Sequence, residues 1–307
     1  CAGNDHQGYQ STAIGRHTGN SYQGDYSIAI GPYAAVTNQY EYAVALGYYA
    51  GYQATDAYNS NFFGYQAGQC NQGEQSVAVG YEAGFFNQAN NAVAIGNSAG
   101  ATSQGIGAVG IGIEAGFTNQ GVDAVAIGTA AGENNQESQA IAIGSSAGRN
   151  SQGYRAVAIG SQAAYGDDSA QGQYAIAVGY NTAYSHQVDN SIALNASGNQ
   201  LNPDNAGLYI DPIRKDTSVT ANVLAYNTTT KEVVSSNVTI NDTGLTLANG
   251  TLIADSTDAG LFIDSLNAAE TGNIVFYNTD TKELTYGTMA DLRPDRIANG
   301  SYRSEEH

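Results

Sequence analysis

The sequence of 307 residues predicts an all-β chain whose larger part is a parallel β-solenoid of about twelve rungs of 16 residues. Three observations lead there. A glycine closing a short apolar strand recurs at Gly15, Gly31, Gly47, Gly64, Gly80, Gly96, Gly112, Gly128, Gly144, Gly160 and Gly179, with Asn195 in the same place once more. Apolar residues, branched except at Phe63, stand one position before it, and Ile or Val stands three before it except at Thr12 and Asn61. Glutamine stands eight positions before it, broken only at Asp56.

The strand comes first in each rung. Ile95 and Val93, or Ile127 and Val125, alternate with Ala94 or Ala126, which puts both large side chains on one face. The closing glycine then permits a sharp bend. A small pair follows, such as Ala99-Gly100 or Ala131-Gly132. The glutamines Gln72, Gln88, Gln104, Gln120, Gln136 and Gln152 lie at equal phase, so a parallel coil stacks them. They read as a structural ladder, with a carbohydrate-binding stripe as the alternative. Two short strands and two turns make one rung, and twelve rungs make a rod of roughly 58 Å.

Such a rung has room inside for only one or two large side chains. The strand face opposite Val and Ile is held to Ala, where a solvent-facing position is normally variable and polar. This face is therefore expected to pack against another copy of the rod.

The strings SIAIG (27–31), AVALG (43–47), AVAIG (92–96 and 124–128) and AIAIG (140–144), each followed by a small pair, resemble the head repeats of YadA-like trimeric autotransporter adhesins. The resemblance covers about residues 1–195. It implies a parallel β-roll wound as a trimer, with the apolar strand facing the shared axis. The rungs are longer than the family's, and neither a heptad stalk nor membrane-anchoring strands are read after them. Repeats with NQG and AIG also look like those of fibre proteins of large viruses and phages.

The period stops near Asn195, and a duplication begins. Gly207–Asp211 matches Gly260–Asp264, and Asn222–Glu232 matches Asn273–Glu283. Each copy reads as short strands joined by a polar turn such as NTTTK. The expected organisation is a rod over 1–195, two β modules over about 196–243 and 244–290, and a polar arm over 291–307. The modules resemble those near the C-termini of viral and phage tail fibres.

The formal net charge of −18 opposes nucleic-acid binding and adhesion to anionic membranes. No apolar run long enough for a spanning helix is present, so no membrane insertion is expected. The two cysteines, Cys1 and Cys70, are about four rungs apart and read as free, with Cys70 in a turn. The chain opens in mid-rung, which suggests that more protein lies upstream. Sequons at Asn195, Asn227, Asn237, Asn241, Asn249 and Asn299 are candidate glycosylation sites.

Several motifs that look like chemistry are by-products of the period. Gly105-x-Gly107-x-x-Gly110 matches a dinucleotide fingerprint with no helix after it. Gly96-x-Ser98-x-Gly100 matches a nucleophile elbow, but Glu82, Glu114 and Ala130 fill the same slot elsewhere. Asp167 and Asp168, in the lengthened rung, are candidate cation ligands against a solvated loop. No cofactor is expected. Tyr48, Tyr49, Tyr65, Tyr81 and Tyr180 follow the closing glycine, where exposed aromatics would form a ligand-contact surface. The function expected is a non-enzymatic structural or adhesive fibre, extracellular or on a virion, meeting a host glycan or receptor. The alternatives are a self-polymerising filament subunit and a polysaccharide-processing solenoid enzyme.

Overall fold

The computed structural model describes residues 2–54, 57–166, 170–213, 221–241, 244–247, 274–277 and 284–287. The chain forms two compact units, Cys1–Lys215 and Asp216–His307, and no helix occurs among the described residues.

The first unit is the solenoid. Its main sheet has thirteen parallel strands, from Thr12–Ile14 to Gly207–Asp211. Successive strands pair in the register of the repeat, as in Val109↔Val125 and Ile111↔Ile127. The glutamine positions build a second parallel sheet of six strands, from Cys70–Gln72 to Asn150–Gln152. Single parallel bridges extend it at one end through Gln53↔Cys70 and at the other through Gln171 and Gln187, and Gln7, Gln23 and Gln39 are bridged in a row of their own.

The faces of the main strand are the reverse of the expected packing. Ala29, Ala45, Ala78, Ala94, Ala126, Ala142 and Ala158 are buried inside the coil, whereas Ile95, Ile127, Ile143 and Ile159 are exposed outside it. The Ala column is the core and needs no second copy to cover it. The reason is the width of the lumen. A Cβ on Gly132 would stand 2.8 Å from Gln136 Oε1 and 3.2 Å from the Ala126 methyl. Only methyl groups and one glutamine fit across the rung, so the branched side chains must point out.

The glutamines are buried, which leaves no stripe of them at the surface. Gln88 Nε2 donates to Gln104 Oε1 at 3.0 Å, Gln104 to Gln120 at 3.0 Å, Gln120 to Gln136 at 3.2 Å and Gln136 to Gln152 at 3.0 Å. The row continues through Gln171 to Gln187. Each Nε2 also serves backbone carbonyls, as Gln120 does at Val109 O (2.9 Å) and Ala124 O (3.3 Å). The amide thus satisfies turn carbonyls that the sheets leave free.

One rung departs from this. The strand Asn61–Phe63 carries Phe62 in the Ala column, between Ala45 and Ala78, and its ring is 2% exposed. Asp56, where the glutamine column breaks, lies outside the described residues. Phe62 occupies the lumen beside Gly51 and Gly68, whose missing Cβ atoms make room for the ring. Gln72 is turned aside, with Nε2 donating to Cys70 O and Gly84 O at 2.7 Å each. The row therefore starts at Gln88, whose Oε1 is buried without a partner.

The turns hold residues other than glycine in the left-handed region. Between Gly80 and Gly96 these are Glu82 (φ 51°), Asn87 (φ 57°) and Asn91 (φ 60°), and most rungs repeat the pattern. Ser98 (φ 52°) belongs to it, so the elbow-like motif is one turn of a series. Gly110 of the fingerprint-like motif lies within the strand Val109–Ile111.

The solenoid also runs past its expected end at Asn195. Ser191–Asn195 pairs in parallel with Gly207–Asp211, Asn195 opposite Asp211, and the first unit closes at Lys215. Gly207–Asp211 is thus a thirteenth rung, although Tyr209 and Asp211 replace the Ala and Gly of the repeat.

In the second unit, Ala221–Tyr226 pairs antiparallel with Val233–Asn241, which pairs with Gly244–Leu247. Ile274–Tyr277 pairs antiparallel with Leu284–Gly287. The two hairpins share a register, Tyr226↔Val233 and Tyr277↔Leu284. In the first turn, Asn227 Oδ1 accepts from Thr229 N (2.9 Å) and Thr230 N (3.1 Å). Gly260–Asp264 and the 291–307 arm lie outside the described residues.

Candidate binding surface

The rod offers two kinds of surface. The first is the outer face of the main sheet. Its two columns are Ile28, Val44, Asn61, Val77, Val93 and onward, and Ile30, Leu46, Phe63, Val79, Ile95 and onward. Ile95, Ile127, Ile143 and Ile159 are 37–38% exposed, so the face is only half covered by its own neighbours. Thirteen strands at about 4.8 Å, roughly 10 Å across, make a strip on the order of 600 Å². That is the upper limit of what a monomer ordinarily leaves open.

The second surface is a cluster of aromatic rings on the turn after the closing glycine. Tyr48, Tyr65 and Tyr81 hold the first turn position in three successive rungs. Tyr48 and Tyr65 stack with centroids 5.4 Å apart and planes 12° apart, Tyr65 and Tyr81 at 5.0 Å and 4°. The next position carries His17, Tyr33 and Tyr49, stacked at 5.4 and 5.0 Å. Tyr48 meets Tyr49 edge to face at 4.5 Å and joins the two columns. Tyr52 packs beside Tyr49 at 4.7 Å, and the Arg16 guanidinium lies 5.7 Å over the Tyr33 ring. These separations follow the strand spacing, because each ring hangs from its own rung.

The rings cover one another's faces, so the cluster presents edges and hydroxyls. Tyr48, Tyr65 and Tyr81 are 40–48% exposed. Glu82 hydrogen-bonds the Tyr81 phenol and holds it above its ordinary pKa. Burial, then the neighbouring Tyr48, pushes the Tyr49 phenol up as well. Both stay protonated donors well above neutral pH.

Of the five tyrosines singled out in the sequence, four meet here. Tyr180 is exposed but lies six rungs further along, roughly 29 Å away. Sequence reasoning missed His17, Tyr33, Tyr52 and Arg16. The first two shared Tyr49's phase, and that was the signal.

The other candidates are placed as follows. Asp167 and Asp168 lie outside the described residues, as do Asn249 and Asn299. Among the described residues no group of three or more His, Cys, Asp or Glu side chains is arranged to hold a metal. Asn195 ends the strand Ser191–Asn195. It is 6% exposed and its Nδ2 donates to Asn199 O at 2.6 Å and Tyr180 O at 3.3 Å, so its amide is engaged inside the turn. Asn227 is exposed on its hairpin turn. Asn237 and Asn241 lie in the strand Val233–Asn241. Cys70 opens a strand rather than occupying a turn, and burial pushes its thiol up.

The YadA head domain repeat family matches the chain in two copies, over residues 23–50 and 151–182. Both copies fall within the solenoid, and together they are well under half of the chain. No curated protein and no solved structure matches it. The head-repeat matches and the solenoid fit a structural, adhesin-like fibre protein.

Proposed function

We propose that this chain is the rod of a non-enzymatic adhesive fibre on a cell or virion surface, working as a homotrimer of parallel solenoids. The outer Val/Ile face carries the reading. It repeats two columns along the rod that are apolar in every rung but those of Thr12 and Asn61, and a partner with the same axial period is needed to pair with all of them. A second copy has that period. The strip of about 600 Å² falls just short of the ~800 Å² per partner of a stable interface, and flanking turn residues supply the rest. The contact face is thus the Val/Ile side, not the Ala side.

The tyrosine cluster at Tyr48, Tyr49, Tyr65 and Tyr81 is the proposed contact surface for a host glycan or receptor. Its outward hydroxyls and ring edges suit a polar, flat-sided ligand. The exposed Asn227 is the foremost proposed glycosylation position, with Asn195, Asn237, Asn241, Asn249 and Asn299.

Light scattering at micromolar concentration tests the assembly. The expected mass is three chains, a single-chain mass removes the reading, and an open-ended series marks a filament subunit instead. For the contact surface, Tyr48→Ser/Tyr65→Ser/Tyr81→Ser is expected to keep the rod's circular dichroism and lose binding to host cells. Unchanged binding by the variant would put the contact elsewhere.

A further inference from the structure

A rod of identical rungs has a problem of register. If two copies pack through the Val/Ile face, sliding one by a single rung restores the same contacts. Something must distinguish the correct alignment from its neighbours. We infer that Asn61 is that register key, an inference that rests on the self-association proposed above.

The outer columns hold one polar residue away from the rod's first strand. Reading the first column from Ile28 to Leu208, every position is Ile, Val or Leu except Asn61. Thr12 is the other polar member and lies in the terminal strand Thr12–Ile14. Asn61 sits between Val44 and Val77 in the sheet, on the strand Asn61–Phe63, and is half-buried. Its side-chain amide makes no hydrogen bond among the described residues. Two positions on, Phe63 is the one aromatic member of the second column, between Leu46 and Val79. Both odd residues of the face therefore share a rung.

An asparagine amide has donors and acceptors enough to bond with its own copies. When parallel copies are level, their Asn61 amides meet around the shared axis and satisfy one another. When one copy slips by a rung, each Asn61 faces Val44 or Val77 and is buried without a partner. A single polar residue in an otherwise apolar seam sets register in coiled coils by this same penalty. The interior of the rung is built to tolerate the exception. Phe62 fills the lumen where the glutamine column breaks, so the strand is held in place while its outer residues differ from the repeat.

The test is disulfide cross-linking in a Cys1→Ser/Cys70→Ser background. Val79→Cys and Ile95→Cys lie in the same outer column, one rung apart. Mixing the two single-cysteine chains gives a 79–95 cross-link only when copies have slipped, whereas Ile95→Cys alone gives a 95–95 cross-link when they are level. With Asn61 present, the level product is expected to dominate. Asn61→Val is expected to raise the slipped product by about ten-fold. Asn61→Ala should do the same without adding bulk. Moving the key, in Asn61→Val/Val77→Asn, should restore the level product. Slipped product already abundant with Asn61 present, or unchanged in Asn61→Val and Asn61→Ala, would overturn the inference while leaving self-association intact. Monomeric chains with no intermolecular cross-link would instead remove the self-association reading, and this one with it.

Discussion

The first five rungs and the next five share most of their inside, the Phe62 rung excepted, and differ outside. From Gly15 to Gly80 the first turn position holds Arg16, Pro32, Tyr48, Tyr65 and Tyr81, and the next adds His17, Tyr33 and Tyr49. From Gly96 to Gly160 the first turn position holds Asn97, Ile113, Thr129, Ser145 and Ser161. Ala and Gly columns run through both halves with little change. The lumen is so tight that the period is enforced there, while the turns are free to vary. The stacked tyrosines accordingly lie on the turns of one half, and the other half carries small or polar residues and Ile113 there.

Breaking the shared inside should cost most. Gly128 has φ 126° and its Cβ would stand 2.7 Å from Gly144 O. Gly128→Ala is expected to lose about 3–5 kcal/mol in denaturant unfolding. Thr129→Ala, on the adjoining turn, should change stability by less than about 0.5 kcal/mol. Equal effects would mean that the open turn positions are as constrained as the closing glycine.

Phe62→Ala should follow closely, at about 3–4 kcal/mol, because no glutamine fills the space the ring leaves. A cost below about 1 kcal/mol would show that the lumen collapses around the gap.

The glutamines sharpen the comparison. Gln120 bonds to its neighbours on both sides, whereas Gln39 serves Ile28 O (2.9 Å) and Ala43 O (3.1 Å) and its Oε1 is buried without a partner. Gln120→Leu should cost about 1 kcal/mol more than Gln39→Leu. Equal costs would mean that the amide row adds nothing to the backbone bonds.

Apart from the Thr129→Ala control, the smallest effect belongs to the tyrosines. Tyr65→Ala removes two stacking contacts at an exposed position and should lower Tm by about 2–4 °C. A larger drop would make the aromatic cluster part of the scaffold rather than a surface laid upon it.

The fold was legible because its causes repeat. Gly, Ala and Gln each occupy one phase, and a parallel coil is what puts equal phases together. Which strand face points inward was not legible. Alternation separates Val from Ala, but only the joint presence of Gly132, Gln136 and Ala126 across one lumen decides which fits. Gly207–Asp211 was hidden for the opposite reason. Leu208 and Ile210 keep the spacing, yet Tyr209 and Asp211 lack the residues that mark a rung, and a likeness to Gly260–Asp264 drew attention away. The tyrosine cluster was half legible, since phase showed which rings align but not that two columns meet at Tyr48 and Tyr49.

The left-handed turn residues bear on how such a rod comes into being. Glu82, Asn87 and Asn91 each adopt a backbone state that costs an L-residue about 1–2 kcal/mol. A rung on its own cannot offset three of these, but a rung laid on a finished one is repaid by its backbone bonds, such as Gly96 N to Val79 O at 2.8 Å. Assembly of the coil is therefore slow to begin and quick to extend, each turn templated by the last.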